Sequence, residues 1–115
     1  MPLTLENTVD IIETMENYID RVRPPLAVRS QLDIGYSIEN QSVVLFEIRP
    51  AFHNPTKMIE SPYAKANFVK KENHWKVYWM RGNLSWDLYD PQPIAKTLKQ
   101  FLDLVDRDEH HCFKG

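Results

Sequence analysis

The spacing of apolar residues changes twice along the chain, and this change constrains the fold more than any other feature of the sequence. From Leu5 the apolar residues recur every three or four positions, which is typical of one face of a helix and predicts a helix over 5–23. From Leu32 they recur at every second position, as in strands that bury one face, and near the end the helical spacing returns. The pattern therefore predicts an α+β fold, with a helix at each end and an antiparallel sheet between them.

The ends of both predicted helices carry recognisable signals. Thr4 is the predicted N-cap of the first helix. Pro24 and Pro25 end this helix, because proline lacks an amide hydrogen and clashes with the preceding turn. Asp90 is the predicted N-cap of the second helix, with Pro91 at its first position, where proline is well tolerated.

The middle of the chain is predicted to form five strands, as two hairpins and one short strand. In the first hairpin an odd-numbered loop would place Val44, Phe46 and Ile48 on the buried face. The same register would make Asp33 and Glu47 neighbours on the opposite face. The predicted strands are 31–38, 43–49, 63–71, 75–81 and 84–89, the second helix is 91–107, and the tail is 108–115.

The second hairpin gains support from the sizes of its facing side chains. A tight turn at Glu72-Asn73 would set Phe68 opposite Val77 and Ala66 opposite Trp79, so that small residues face large ones. The same register predicts that all three tryptophans lie on the core side: Trp75, Trp79 and Trp86.

Length and composition indicate an ordinary globular protein. The 115 residues, with 43% apolar and 26% charged, predict one domain over 1–115. The single cysteine, Cys112, excludes an internal disulfide and favours a reducing compartment. No apolar run approaches the roughly 20 residues of a membrane span, and the first residues lack the pattern of a signal peptide, so we expect a cytoplasmic protein without membrane contact. The net charge of −2 disfavours general nucleic-acid binding.

The sequence from Arg49 onward also resembles a known family. The residues that carry the resemblance are Arg49-Pro50, Ala64-Lys65, Trp75-Lys76, Tyr78-Trp79, Arg81, Leu84, Trp86, Tyr89, Pro91, Asp108, Cys112-Phe113 and Gly115. They are similar to the bacterial domain-of-unknown-function family number three thousand and twenty-four. This resemblance implies no activity, ligand or catalytic residue, so it bears on the fold far more than on function.

The first candidate site is the sheet face that points away from the helices. Lys65, Lys76, Tyr78 and Met80 share this face in the predicted register. Bases beside an aromatic ring suit a phosphate-bearing ligand, whereas tyrosine and methionine suit a protein interface. The leading hypothesis is therefore a non-enzymatic interaction module that meets a protein partner or a second copy of itself. Nucleic acid is the less favoured ligand because of the net charge, and the alternative without function is an ordinary solvated face.

The second candidate is an enzyme from another functional class. Asp33, with Glu47 and Arg49 on the next strand, has the order of residues found in metal-dependent nucleases, where two carboxylates hold Mg²⁺ beside a basic group. Arginine in the basic position and the hairpins that follow count against this hypothesis. The alternative interpretation is a solvated pair of carboxylates neutralised by Arg49.

The third candidate is the tail, where His110, His111 and Cys112 are ligand types that Zn²⁺ accepts. A closed zinc site needs four ligands, and adjacent residues rarely point at one ion, so we expect Cys112 to pack as a small apolar group. No nucleophile motif and no glycine-rich phosphate loop is present, and no cofactor is predicted.

Overall fold

Two helices pack on one face of a six-stranded antiparallel sheet in the computed structural model, which confirms the predicted α+β fold. The structure describes residues 5–113, with side chains from Thr8 onward. The predicted cap Thr4 and the tail residues Lys114 and Gly115 lie outside the described residues. The elements are α1 (Leu5–Val22), a 3₁₀ turn (Leu26–Val28), β1 (Asp33–Glu39), β2 (Ser42–Pro50), β3 (Met58–Val69), β4 (His74–Met80), β5 (Trp86–Leu88), β6 (Ile94–Ala95) and α2 (Leu98–Arg107).

The strands follow one another across the sheet in the order of the sequence. β1 forms one edge, β2 and β3 are interior, and β4 pairs on its far side with both β5 and β6. We call the face that carries the helices the inner face and the opposite face the outer face. None of the helices in the described part of the chain is both long and apolar enough to span a membrane.

The helical stripe of α1 supplies one wall of the core. Ile11, Met15 and Tyr18 are buried at a spacing of three to four residues, whereas Val9 and Ile12, which belong to the predicted apolar stripe that starts at Leu5, are exposed. The Tyr18 hydroxyl donates a hydrogen bond of 2.8 Å to Oδ1 of Asp106 on α2, and Arg21 binds the other oxygen of this carboxylate at 3.1 Å. Burial raises the pKa of Tyr18, and the hydrogen bond to Asp106 adds to this increase. The two helices are thus joined by a polar contact as well as by the core.

The first hairpin has a two-residue turn, so the odd-numbered loop of the sequence prediction is wrong. Glu39 pairs with Ser42 across Asn40 and Gln41, and Asn40 has the left-handed φ of 56° that asparagine tolerates. A change of one residue in register moves every side chain of β2 to the other face. Val43 and Leu45 therefore lie on the inner face, in place of the predicted Val44, Phe46 and Ile48.

The apolar run of β2 explains why this register was hard to predict. Val43, Val44 and Leu45 are all buried, although Val44 points to the outer face, where it is only 5% exposed. Interior strands with both faces covered show continuous apolar runs rather than alternation. The run is compatible with either register, and the turn length decides between them.

The second hairpin keeps its predicted faces but not its predicted pairs. Ala66 lies opposite Val77, and Ala64 lies opposite Trp79, so the register differs from the prediction by two residues. The cause is a longer turn over 70–73, in which Asn73 has a φ of 53°. A difference of two residues leaves each side chain on its own face, so Trp75 and Trp79 lie on the inner face as predicted.

Trp86 is on the outer face, which corrects the prediction that it belongs to the core. It pairs with Met80 across β4 and β5, and Met80 is an outer-face residue. Leu84 lies in the preceding turn with a φ of 64° and is 82% exposed, so the predicted strand 84–89 shortens to Trp86–Leu88.

The second helix begins at Leu98, so the predicted start at 91 and the predicted cap Asp90 are wrong. The segment before α2 is extended and forms backbone hydrogen bonds with β4. The amide of Val77 donates to the Pro93 carbonyl, and the Val77 carbonyl accepts from the amide of Tyr89. Thr97 caps the helix, since its side chain accepts a hydrogen bond from the Gln100 amide at 3.1 Å.

Candidate binding site on the outer sheet face

The four residues predicted to share the outer face do lie on it. Lys65 is directly opposite Tyr78 across β3 and β4, while Lys76 and Met80 lie two residues on either side of Tyr78. Side chains two residues apart in a strand point to the same side of the sheet. Lys76 itself lies opposite Asn67.

Lys65 is the most constrained charged group on this face. Its Nζ lies 5.0 Å from the ring centroid of Tyr78 and 5.0 Å from that of Trp86, which is the geometry of a double cation–π contact. Burial lowers the pKa of Lys65, and the negative charge of Glu39 acts in the opposite direction. Within the described residues no carboxylate is close enough to form an ion pair with Lys65. This half-buried ammonium group is therefore stabilised mainly by aromatic rings.

A shallow open groove of about 440 Å³ lies beside Lys65. The hydroxyl of Ser42 donates to Oδ1 of Asn67 at 2.7 Å and fixes the amide on the groove wall. The remaining lining combines one aromatic ring with polar groups. The groove is lined by Glu39, Asn40, Gln41, Ser42, Lys65, Asn67 and Trp86.

Phe46 extends the apolar part of the outer face towards β1. It lies opposite Gly35, and a Cβ atom at that glycine would meet the Phe46 ring at 2.8 Å. The absence of a side chain at Gly35 therefore lets the ring lie across the edge strand. Phe46 and Trp86, both predicted on the core side, make the outer face more apolar than the sequence prediction implied.

Sequence reasoning missed Trp86, the residue that completes the contact around Lys65. The alternation of Trp86 and Leu88 with polar residues indicates a strand. However, the sequence does not show how many residues the turn before β5 contains. Because the face of a strand depends on the register of its turn, alternation alone could not assign Trp86 to a side of the sheet.

The nuclease-like residues do not come together. Asp33 lies opposite Ile48, and Glu47 lies opposite Ile34, so the two carboxylates point to opposite faces and the prediction that they are neighbours is wrong. Each carboxylate has its own arginine. Glu47 contacts Arg49 at 3.0 Å.

Arg23 holds the Asp33 carboxylate with two hydrogen bonds. Nε of Arg23 donates to Oδ1 of Asp33 at 2.8 Å, and Nη2 of Arg23 donates to Oδ2 at 2.7 Å. These bonds hold the pKa of Asp33 below its usual range, while desolvation opposes the shift. Asp33 is thus oriented by a guanidinium group at the start of the edge strand, away from Glu47.

The tail packs against the sheet instead of forming a cluster of ligands. In the described residues no group of three or more His, Cys, Asp and Glu side chains could hold a metal ion, and this set includes His110, His111 and Cys112. Phe113 is buried, with its ring centroid 4.8 Å from that of Tyr89. Burial, assisted by the charge of Asp108, raises the pKa of the Cys112 thiol.

The fold and this site define a class of protein: a two-layer α+β protein with one sheet face covered by helices and the other open, aromatic and basic. The chain belongs to the family described as Domain of unknown function (DUF3024), whose model matches residues 4–115. No match is found among curated proteins, and none among solved structures.

Proposed function

We propose that the protein is a non-enzymatic interaction module that binds a protein partner through its outer sheet face. The observation that carries the proposal is the placement of Lys65 over the rings of Tyr78 and Trp86. This contact fixes two large aromatic side chains on an open face, and rigid aromatic residues are the commonest energetic centres of protein interfaces.

The surroundings of this centre also suit a protein partner. Met80 adds apolar surface opposite Trp86, Phe46 adds a further apolar side chain on the same face towards β1, and the groove beside Lys65 offers polar groups for hydrogen bonds at the rim. An apolar centre with a polar rim is the usual anatomy of an interface. A second copy of the chain is the alternative partner. Nucleic acid fits less well, because the net charge is −2.

The proposal also includes the cellular location of the protein. We place this module in the cytoplasm, since the single Cys112 suits a reducing compartment. We assign it to a bacterium because the family resemblance described above implies a bacterial source. No catalytic step is assigned to the outer face: the Ser42 hydroxyl, which lines the groove with Lys65, donates its hydrogen bond to Asn67.

The test uses two double variants, one on the outer face and one at exposed positions elsewhere on the surface. Tyr78→Ala with Met80→Ala removes the aromatic and apolar centre, while Lys96→Glu with Lys99→Glu changes two exposed bases elsewhere on the surface. Loss of a central tyrosine typically costs at least about 2 kcal/mol of binding, which is about a thirtyfold increase in Kd. The partner is isolated on the wild-type chain from the source cell, purified and titrated against each variant. Mass is measured in parallel over a concentration series to detect self-association.

We expect the outer-face variant to lose partner binding or self-association, and the control variant to keep it. Equal binding by both variants and wild type would contradict the proposal. A steep loss of binding with added salt, together with loss on Lys65→Glu and retention on Tyr78→Ala, would identify a phosphate-bearing ligand instead.

A further inference from the structure

The edge strand β1 has backbone groups that no other strand in the described residues uses. β1 pairs only with β2. Because a two-residue turn joins Glu39 to Ser42, this pair exchanges hydrogen bonds, and so does every second pair along the hairpin. The backbone groups of the residues between them point outward from the sheet. These residues are Ile34, Tyr36 and Ile38.

One of these three amides is already bound within the chain. The amide of Ile34 donates to Oδ1 of Asp33 at 2.8 Å, and Arg23 holds this carboxylate in place. The Asp33 side chain therefore closes the first position of the edge, in the way that natural edge strands are often protected. Tyr36 and Ile38 remain the open positions.

Helix α1 runs alongside this open edge. Arg23 contacts Asp33 at the start of β1, and two helical turns earlier Glu16 interacts with the side chain of Tyr36. Burial raises the pKa of Tyr36 to about 12, and the interaction with Glu16 adds to this increase. The side of α1 that carries Glu16 therefore follows β1 in the opposite direction.

The same side of α1 exposes two apolar side chains. Ile12 lies one turn before Glu16 and is 42% exposed, and Val9 lies a further turn away and is 54% exposed. Both are beyond the buried stripe of the helix, so the core does not explain them. They form an apolar shelf next to the open positions of the edge.

The charge around this edge is negative. Glu16 borders the shelf, Glu13 and Asp20 lie beside it on the helix, and Glu39 ends the strand. Arg23 neutralises Asp33 at the start of the strand, and the other carboxylates have no such partner among the contacts described above. The edge is therefore suited to a basic strand.

We propose that the edge of β1 and the shelf of α1 form a second binding site, which takes an extended segment of a partner protein that alternates apolar residues with Lys or Arg. The segment adds a strand to the sheet by hydrogen bonds to the backbone of Tyr36 and Ile38. Successive side chains of an added strand point to opposite faces of the sheet. The apolar side chains of the segment therefore pack on Val9 and Ile12 on the inner face, and its basic side chains point to the outer face, where Glu39 ends β1. Addition of a strand at an exposed edge is a common mode of peptide recognition, in which backbone bonds give affinity and alternate side chains give specificity.

The experiment selects ligands from a library of random nine-residue peptides displayed on phage, with the full chain as bait. The expected enriched sequences alternate apolar and basic residues. The best peptide is then synthesised in two further forms, N-methylated at alternate backbone positions of either register. One form should lose at least tenfold in affinity, because its methyl groups replace the donors that face β1, and the other should bind as the parent does.

Two further measurements locate the peptide on the protein. Binding should slow hydrogen exchange at the amides of Tyr36 and Ile38. Ile12→Lys should weaken binding at least tenfold, whereas Ile59→Lys, at a residue of matched exposure on β3, should leave it unchanged. Neither change removes a buried side chain.

The outcomes also separate this site from the outer face. Tyr78→Ala should leave peptide binding intact, and its loss in that variant would move the peptide to the outer face and overturn the proposal. Enrichment of acidic peptides, of helical patterns or of no sequence at all would overturn it as well. Equal affinity of the two N-methylated forms would show that the peptide does not bind as an added strand.

Discussion

Asp33 shows how one side chain can serve two purposes at the start of an edge strand. Its carboxylate accepts two hydrogen bonds from Arg23 and one from the Ile34 amide. The first contact anchors the end of α1 to β1, and the second covers an amide that would otherwise be open to another strand. The residue that sequence reasoning assigned to a metal site is thus a structural link between a helix and an edge.

The lowered pKa of Asp33 predicts a defined pH dependence of stability. A carboxylate with a depressed folded-state pKa stabilises the fold above its unfolded pKa of about 3.9, and this contribution is lost as the pH falls through the folded value. The difference in unfolding free energy between wild type and Asp33→Asn should therefore be constant from pH 7 to 5 and should shrink below about pH 4. Urea denaturation at several pH values measures it. Arg23→Gln should follow the same pH course, and a difference that persists unchanged at pH 3 would contradict the assignment.

At the scale of elements, the start of α2 illustrates a choice between two cap signals. Thr97, Leu98, Lys99 and Gln100 form the Thr-x-x-Gln pattern of a capping box, and the Gln100 side chain also accepts a hydrogen bond from the Lys96 amide at 2.7 Å. The Asp90-Pro91 signal upstream predicts a cap at Asp90 instead. Two prolines within three residues at 91–93 suit an extended segment equally well. In the structure this segment forms hydrogen bonds with the backbone amide and carbonyl of Val77 in β4.

The two candidate caps give opposite predictions for stability. Thr97→Ala should cost about 1 kcal/mol of unfolding free energy, because the Gln100 amide loses its acceptor. Asp90→Ala should change it by less than about 0.5 kcal/mol, as is usual for an exposed position away from special contacts. Chemical denaturation of both variants decides the question. A larger loss for Asp90→Ala would restore the earlier helix start.

How far the sequence predicts these elements depends on whether the apolar pattern marks one face or two. The alternation of Trp75, Val77 and Trp79 marks one face, so β4 and its orientation could be predicted. In α1 the adjacent Ile11 and Ile12 fit two different stripes, so the helix could be predicted but its buried side could not. The run from Val43 to Phe46 is apolar throughout, so it predicts a strand but not its register. The first candidate site was predictable because it lies on the well-marked hairpin, and the Asp33 and Glu47 pair failed because it depended on the ambiguous one.

At the scale of the whole molecule, the sheet and the helical layer connect the chain in different ways. Every strand from β1 to β5 pairs with its neighbour in sequence. The helices instead join distant parts of the chain, since the hydrogen bond between Tyr18 and Asp106 spans 88 residues. The sheet is built from local contacts, and the helical layer is closed by long-range contacts in which Tyr18 and Arg21 of α1 both bind Asp106 of α2.

This division has a consequence for the order of events during folding. Closing a long loop costs entropy before its contacts form, so hairpins such as β2–β3 should assemble before α1 meets α2. Tyr18→Phe should then destabilise the protein by about 1 kcal/mol, almost entirely through faster unfolding, whereas Val43→Ala in β2 should slow folding. Stopped-flow kinetics over a range of urea concentrations separates the two rates. A slower folding rate for Tyr18→Phe would mean that the helices dock early, and that the sheet forms on a helical pair already in place.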